Sequence, residues 1–215
     1  MTAALNDYLD KALKDLGPQS WWPGETPFEI CVGAILTQNT AWTNVEKAIV
    51  NLKERGVLDP FKLYALPPPE LAQLIRPAGY FNIKTKRLRN FLKFLIDDYE
   101  GDLERMKQER GDSLREKLLA VRGIGPETAD SILLYALEKP IFVVDAYAKR
   151  IFTRHAVLGE EADYHEIQDH FARHLDTDVR VFNEFHALIV HVGKKWCRPK
   201  NPDCENCPWK DYLPR

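Results

Sequence analysis

No apolar run in this chain approaches the ~20 residues that a membrane-crossing helix needs. Its opening residues, MTAALNDYLDKALKDL, carry acids and lack the apolar core of a secretory signal, so a cytoplasmic protein is expected. Cysteine is scarce: there are four in 215 residues, three of them crowded near the C-terminus as Cys197-x6-Cys204-x2-Cys207. Without an export signal, such a cluster points to a metal before disulfides. Cys31 stands alone in an apolar helical pattern and reads as core. Repeats, low-complexity tracts and period-two strand patterns are also missing, so an all-α fold is expected. Net charge is nearly absent, since 30 Lys and Arg oppose 32 Asp and Glu to leave −2. That balance counts against nucleic-acid binding unless the basic residues are gathered on one face.

What is present is the composition of an ordinary soluble globular protein, 45% hydrophobic and 29% charged, at a length that suits one large domain or two small ones. Leu5, Leu9, Ala12, Leu13 and Leu16 share a helical face that Gly17-Pro18 ends. Thr26-Pro27-Phe28-Glu29 has the form of a capping box and opens a helix to about Thr37. After the polar break Gln38-Asn39-Thr40, another helix carries Trp42, Val45, Ile49 and Leu52. A short helix through Leu71 and Ile75 stops at Pro77. Gly79-Tyr80-Phe81-Asn82 then turns into an amphipathic helix with Leu88, Phe91, Leu92 and Leu95 inward. Lys84, Lys86, Arg87, Arg89 and Lys93 line its other side, with no acid between Gly79 and Ile96, so basic charge is indeed segregated. Asp112 can cap the next helix, and further helices are predicted over Glu127–Leu137, around Ile151 and Phe152, over Tyr164–Leu175 behind Asp163, and over Val179–Val192.

Between two of these helices lies Gly123-Ile124-Gly125, a tight turn that presents backbone N–H groups at a helix N-terminus and suits a phosphate. Asp145 follows the apolar run Ile141–Val144 and opens a new helix at Ala146. By spacing alone it is an N-cap, worth about 1 kcal/mol.

Together these residues resemble the helix-hairpin-helix base-excision DNA glycosylases of the endonuclease III branch. In that family a Leu-Pro-Gly-Val-Gly hairpin precedes a Val-Asp bearing the catalytic carboxylate; here they read Val121-Arg122-Gly123-Ile124-Gly125 and Val144-Asp145. The resemblance spans nearly the whole chain. It implies two helical lobes flanking a DNA-binding cleft, residues 21–137 forming one and residues 1–20 with 138–215 the other. It also implies Asp145 as the catalytic carboxylate and Gly123 and Gly125 as amide donors to a phosphate of damaged duplex DNA.

Bifunctional members carry a lysine two residues past the second hairpin glycine. Here that position is Glu127, and a carboxylate cannot form the Schiff base of an AP lyase. Leu36–Thr40 resembles the segment whose glutamine, here Gln38, fills the gap left by a flipped base. Tyr80 falls where the family wedges a side chain into the duplex. Trp21-Trp22-Pro23, with Trp42, resembles the 3-methyladenine DNA glycosylases of the branch. Indoles there would stack on a cationic alkylated purine, with Glu127 lining the pocket or binding water. Cation–π attraction adds roughly 0.5–2 kcal/mol to base stacking of about 1–3 kcal/mol, which a neutral purine does not gain. Read without the family, Gln38 and Tyr80 are loop residues and the tryptophans are core or interface anchors.

The resemblance therefore implies a monofunctional DNA glycosylase for alkylated purines, a monomer acting in the cytoplasm at the nucleoid. The alternatives are an enzyme for oxidised pyrimidines or mismatched bases, and a non-catalytic lesion-binding module. Lys84, Lys86, Arg87, Arg89, Lys194, Lys195, Arg198 and Lys200 are candidate phosphate neighbours. The family's Cys-x6-Cys-x2-Cys-x5-Cys pattern implies a [4Fe–4S] cluster on Cys197, Cys204 and Cys207, but the fourth position falls on Leu213. A non-thiolate ligand, with Asp211 within reach, or solvent would complete it. Zinc, or a loop with no metal, is the alternative.

Overall fold

The computed structural model describes residues 4–19, 21 and 24–214. Among them every regular element is helical. In chain order these are α1 (Leu5–Leu16), α2 (Pro27–Leu36), α3 (Trp42–Glu54), α4 (Pro60–Ala65), α5 (Pro68–Leu74), a 3-10 turn (Arg76–Ala78), α6 (Phe81–Tyr99), α7 (Leu103–Lys107), α8 (Gly111–Ala120), α9 (Pro126–Ser131), a π turn (Ile132–Ala136), α10 (Ala146–Arg154), α11 (Tyr164–His174), α12 (Val179–Lys195) and a 3-10 turn (Lys210–Tyr212). No described helix is long and apolar enough to cross a membrane. The chain forms two compact units, one over Trp22–Lys139 and one joining Met1–Trp21 to Pro140–Arg215.

In the continuous unit, α2 is buried on almost every side, as its unbroken apolar run requires. Thr26 caps it by accepting the Glu29 N–H at 3.1 Å, but the reciprocal half of the predicted capping box is missing. The Glu29 carboxylate turns instead to Lys53 Nζ at 2.9 Å. Two short helices absent from the periodicity, α4 and α7, are held by Asp59 and Asp102, whose side chains accept their first N–H groups. Asp112 does not cap α8. Arg110 holds that position, and Asp112 lies one residue inside the helix, where it pairs with Arg110 at 2.8 Å. The predicted continuous helix after the hairpin is α-helical only to Ser131. From there Ile132–Ala136 widens into a π turn with all five side chains buried, and Leu137 N–H reaches Ile132 O at 3.1 Å.

The second unit is built around aromatic rings. Phe142 stacks on Phe171 at 4.1 Å, Phe152 meets Phe171 edge-on at 5.0 Å, and Phe182 and Phe185 are fully buried beside them. The two ends of the chain meet here: the buried Trp209 indole donates from Nε1 to Tyr8 O at 2.8 Å. Helix α10 packs on α12 at Gly193, where a Cβ would come within 2.3 Å of the Tyr147 ring. Only glycine permits that approach, and it sets α10 close against the face of α12 that carries His186.

Candidate active site

Asp145 N-caps α10, its Oδ1 accepting the Ala148 N–H at 2.7 Å. The other oxygen, Oδ2, lies 3.4 Å from Nε2 of His186; the His186 side chain is buried, 6% exposed, and that of Asp145 is nearly so, 11% exposed. Burial alone would push the Asp145 carboxyl up. The His186 charge and hydrogen bond, with the Ala148 and Tyr147 amides, outweigh that and hold it below the ordinary carboxylate range. An ionised carboxylate is thus kept at the entrance of a helix. His186, from α12, meets Phe142 edge-on at 6.3 Å and Trp21 at 5.9 Å. Asp145, His186 and Trp21 therefore form one group. Trp21 also borders a cleft of about 430 Å³ shared with Gln19, Ala187, His191, Lys194 and Lys195. Trp22 and Pro23 lie outside the described residues.

In the continuous unit the hairpin glycines differ. Gly123 has φ +100°, and a Cβ there would meet Arg87 Cγ at 2.5 Å, so the position requires glycine. Gly125 is extended, N-caps α9 and has open space where a Cβ would stand. Glu127 is exposed in the first turn of α9. Gln38 is held at the hairpin, donating from Nε2 to Gly123 O at 3.1 Å and Thr128 Oγ1 at 2.9 Å, while Arg87 donates to its Oε1. Trp42 is half-buried and lies on Gly33 of α2, where a Cβ would be 3.1 Å from its ring. Tyr80 has a left-handed backbone, φ +47°, and is 68% exposed, with Ile83 half-exposed one turn on.

The basic stripe of α6 is narrower than its charges imply. Lys84, expected beside a phosphate, is 1% exposed, and its ammonium is used up on three protein acceptors. Arg89 donates to Tyr64 O and Leu66 O. Lys86 and Lys93 stay exposed, as do Lys194, Lys195, Arg198 and Lys200 elsewhere.

The cysteine loop follows α12 and is tied to α10 by two arginines. Arg150 Nε donates to Cys197 O at 2.8 Å, and Arg154 Nη1 to Cys197 Sγ at 3.3 Å and Arg198 O at 2.8 Å. Cys197, Cys204 and Cys207 border one hollow alongside Arg154, Asp203 and Leu213. Three thiols around one hollow fit three corners of an iron–sulfur cluster. Leu213 presents only hydrocarbon there. Asp211 is exposed and does not border the hollow, whereas Asp203 does. Among the described residues no three His, Cys, Asp or Glu side chains are drawn together tightly enough to hold a single metal ion.

The all-helical fold, the glycine hairpin and the capped aspartate define a class, and residues 32–176 match the family model of the HhH-GPD superfamily base excision DNA repair proteins. The chain belongs to that family. Residues 197–212 match a second family model, the iron–sulfur binding domain of endonuclease III. Among individual relatives, a Methanocaldococcus jannaschii protein named as a candidate DNA repair glycosylase is 50% identical over 198 residues, 91% of this chain and 89% of that protein. Endonuclease III of Sulfolobus acidocaldarius is 30% identical across 86% of this chain and 80% of its own length. Among solved structures, 3-methyladenine DNA glycosylase of H. pylori bound to 1,N6-ethenoadenine superposes with a TM-score of 0.78 at 31% identity, covering 90% of this chain and 98% of that one. An endonuclease III–DNA complex superposes at 0.83 with 22% identity, covering 97% and 93%, which shows the shared fold.

His186 is the site residue that sequence reasoning missed. Its only signal was a histidine inside the apolar run of α12, between Phe185 and Leu188.

Proposed function

We propose that this protein is a monofunctional DNA glycosylase that releases alkylated purines such as 3-methyladenine from duplex DNA and leaves an abasic site. The observation that carries the reading is the buried Asp145 carboxylate, held ionised beside His186 in one group with the Trp21 indole. An alkylated purine is cationic and already a good leaving group, so its N-glycosidic bond needs little help from a general acid. What the site must supply is a negative charge beside the oxocarbenium-like sugar and a base to orient the attacking water. One carboxylate does both, as in glycoside hydrolysis. Trp21 provides a flat π-face that attracts the cationic ring more than a neutral one.

Glu127 stands where a lyase would carry its amine, so the strand is left intact. The hairpin amides of Gly123 and Gly125 hold a phosphate, Tyr80 wedges into the duplex, and Gln38 leaves its hairpin bonds to fill the space of the extruded base. The 31% identity to a 3-methyladenine glycosylase supports the purine choice. Cys197, Cys204 and Cys207 would hold a [4Fe–4S] cluster, which supplies no chemistry to base release and shapes the basic loop around Arg198 and Lys200.

The test is release of free base from methylated duplex DNA by the full chain. Free 3-methyladenine and alkali-labile sites are expected. Asp145→Asn should cut release by ~10²–10⁴-fold with duplex affinity nearly unchanged, and borohydride should trap no covalent adduct. Release of oxidised pyrimidines instead, equal loss of binding and release, or a trapped adduct would each overturn the reading.

A further inference from the structure

Lys84 lies beneath the exposed basic stripe of α6, its buried ammonium held by three partners. Its Nζ donates to Leu36 O at 2.7 Å, Thr40 Oγ1 at 2.9 Å and Ala78 O at 2.8 Å. An ammonium has three N–H donors, so this set is saturated. The acceptors come from two separate segments. Leu36 and Thr40 bracket the loop that follows α2 and holds Gln38. Ala78 ends the 3-10 turn that leads into Gly79 and Tyr80. Thr40 Oγ1 itself donates to Ala78 O at 2.6 Å, closing a three-membered polar ring between the two.

Both segments hold left-handed backbone. Asn39 has φ +53°, Gly79 φ +67° and Tyr80 φ +47°. For Tyr80 the left-handed region is unfavourable by about 1–2 kcal/mol, whereas glycine and asparagine adopt it readily. Such conformations persist only where the surroundings fix them. Burial pushes the Lys84 ammonium down to about 8, with the Arg87 charge adding to it. Methionine would fill the same space without that desolvation, so a lysine here serves something other than packing.

We propose that Lys84 is a positioning residue whose ammonium locks the loop after α2 to the turn before α6, so that Gln38 and Tyr80 meet the duplex in one fixed register. The inference rests on the reading of these two side chains as DNA contacts. Insertion of the wedge and filling of the vacated space have to occur at the same base step. Two independently mobile loops would find that arrangement rarely.

The experiment compares the full chain with Lys84→Met. Amide exchange in residues 37–41 and 78–81 should rise together, about tenfold, while the remaining helices keep their protection. In a duplex holding a tetrahydrofuran abasic-site analogue beside 2-aminopurine, the fluorescence rise on binding should be largely lost. Adding Lys84→Met to the Gln38→Ala/Tyr80→Ala pair should cause no further loss, because the lysine acts through those two residues. A lysine that merely stabilised the fold would add its full effect. Thr40→Val, which removes one acceptor, should shift both readouts in the same direction and covers the case in which Lys84→Met fails to fold. Faster exchange in only one segment or neither, or full additivity in the fluorescence, would overturn the proposal. If the unaltered protein gives no fluorescence change on the lesion duplex, the DNA reading of Gln38 and Tyr80 fails, and exchange alone decides whether the lock exists.

Discussion

In the proposed reading of Asp145, capping and chemistry are not rival uses of one aspartate. A carboxylate has two oxygens, and here one satisfies the Ala148 N–H while the other faces His186. The depressed carboxyl has a consequence for pH. A group whose folded value lies below its unfolded value, ~3.9 for Asp, contributes stability above that value and loses it as pH falls through the folded one. Base release is accordingly expected to stay level through neutral pH and to fail only below about pH 4. His186→Gln removes the charge that offsets burial, so the acid limb of the pH–rate profile should move to higher pH. A limb that does not move would show that His186 does not govern Asp145.

Lys84 and His186 mark where residue-level reading fails. Charge suggested a surface lysine, but residues 84, 88, 91 and 95 share one face of α6, and Leu88, Phe91 and Leu95 are all fully buried on it. Periodicity already placed Lys84 inside. His186 is harder to find, because a histidine in an apolar run looks the same whether it packs or faces a carboxylate 41 residues earlier in the chain.

Among the elements, the glycine hairpin makes the sharpest prediction. Gly123→Ala forces a side chain into a left-handed backbone against Arg87 and should lower stability by about 2 kcal/mol, visible as a melting temperature several degrees lower. Gly125→Ala meets nothing within 4 Å and should melt as the unaltered protein does, while its methyl group crowds a docked phosphate and weakens duplex binding. Equal melting of the two variants would mean that the turn tolerates Cβ at both positions. The long helices were legible from their periods, as α1, α6 and α12 show. Helices α4 and α7 were too short for a period, although Asp59-Pro60 and Asp102 supply cap signals. The π turn left no local signal, since five consecutive buried residues read equally well as a continuing α-helix.

For the whole molecule, the cysteine loop makes its own prediction. The purified protein should absorb near ~400 nm, and Cys204→Ser should bleach it and raise amide exchange over residues 197–212 while leaving residues 22–139 as protected as before. A colourless protein holding stoichiometric zinc would refute the cluster. Three of the four positions proposed to hold the cluster could be read directly from spacing, but the fourth could not. Leu213 breaks the pattern, and which oxygen lies near the hollow depends on how the loop closes: Asp203 borders it and Asp211 does not.

The bond from Trp209 to Tyr8 also imposes an order of events at the ribosome. Residues 22–139 are contiguous and can collapse on their own core while translation continues. The first helix, made before them, has to wait for the full cover of its Tyr8 until Phe152, His155 and finally an indole 201 residues downstream have been made. A chain stalled before Trp209 would therefore carry a finished half and an open one, and would be a natural target for chaperones and proteases.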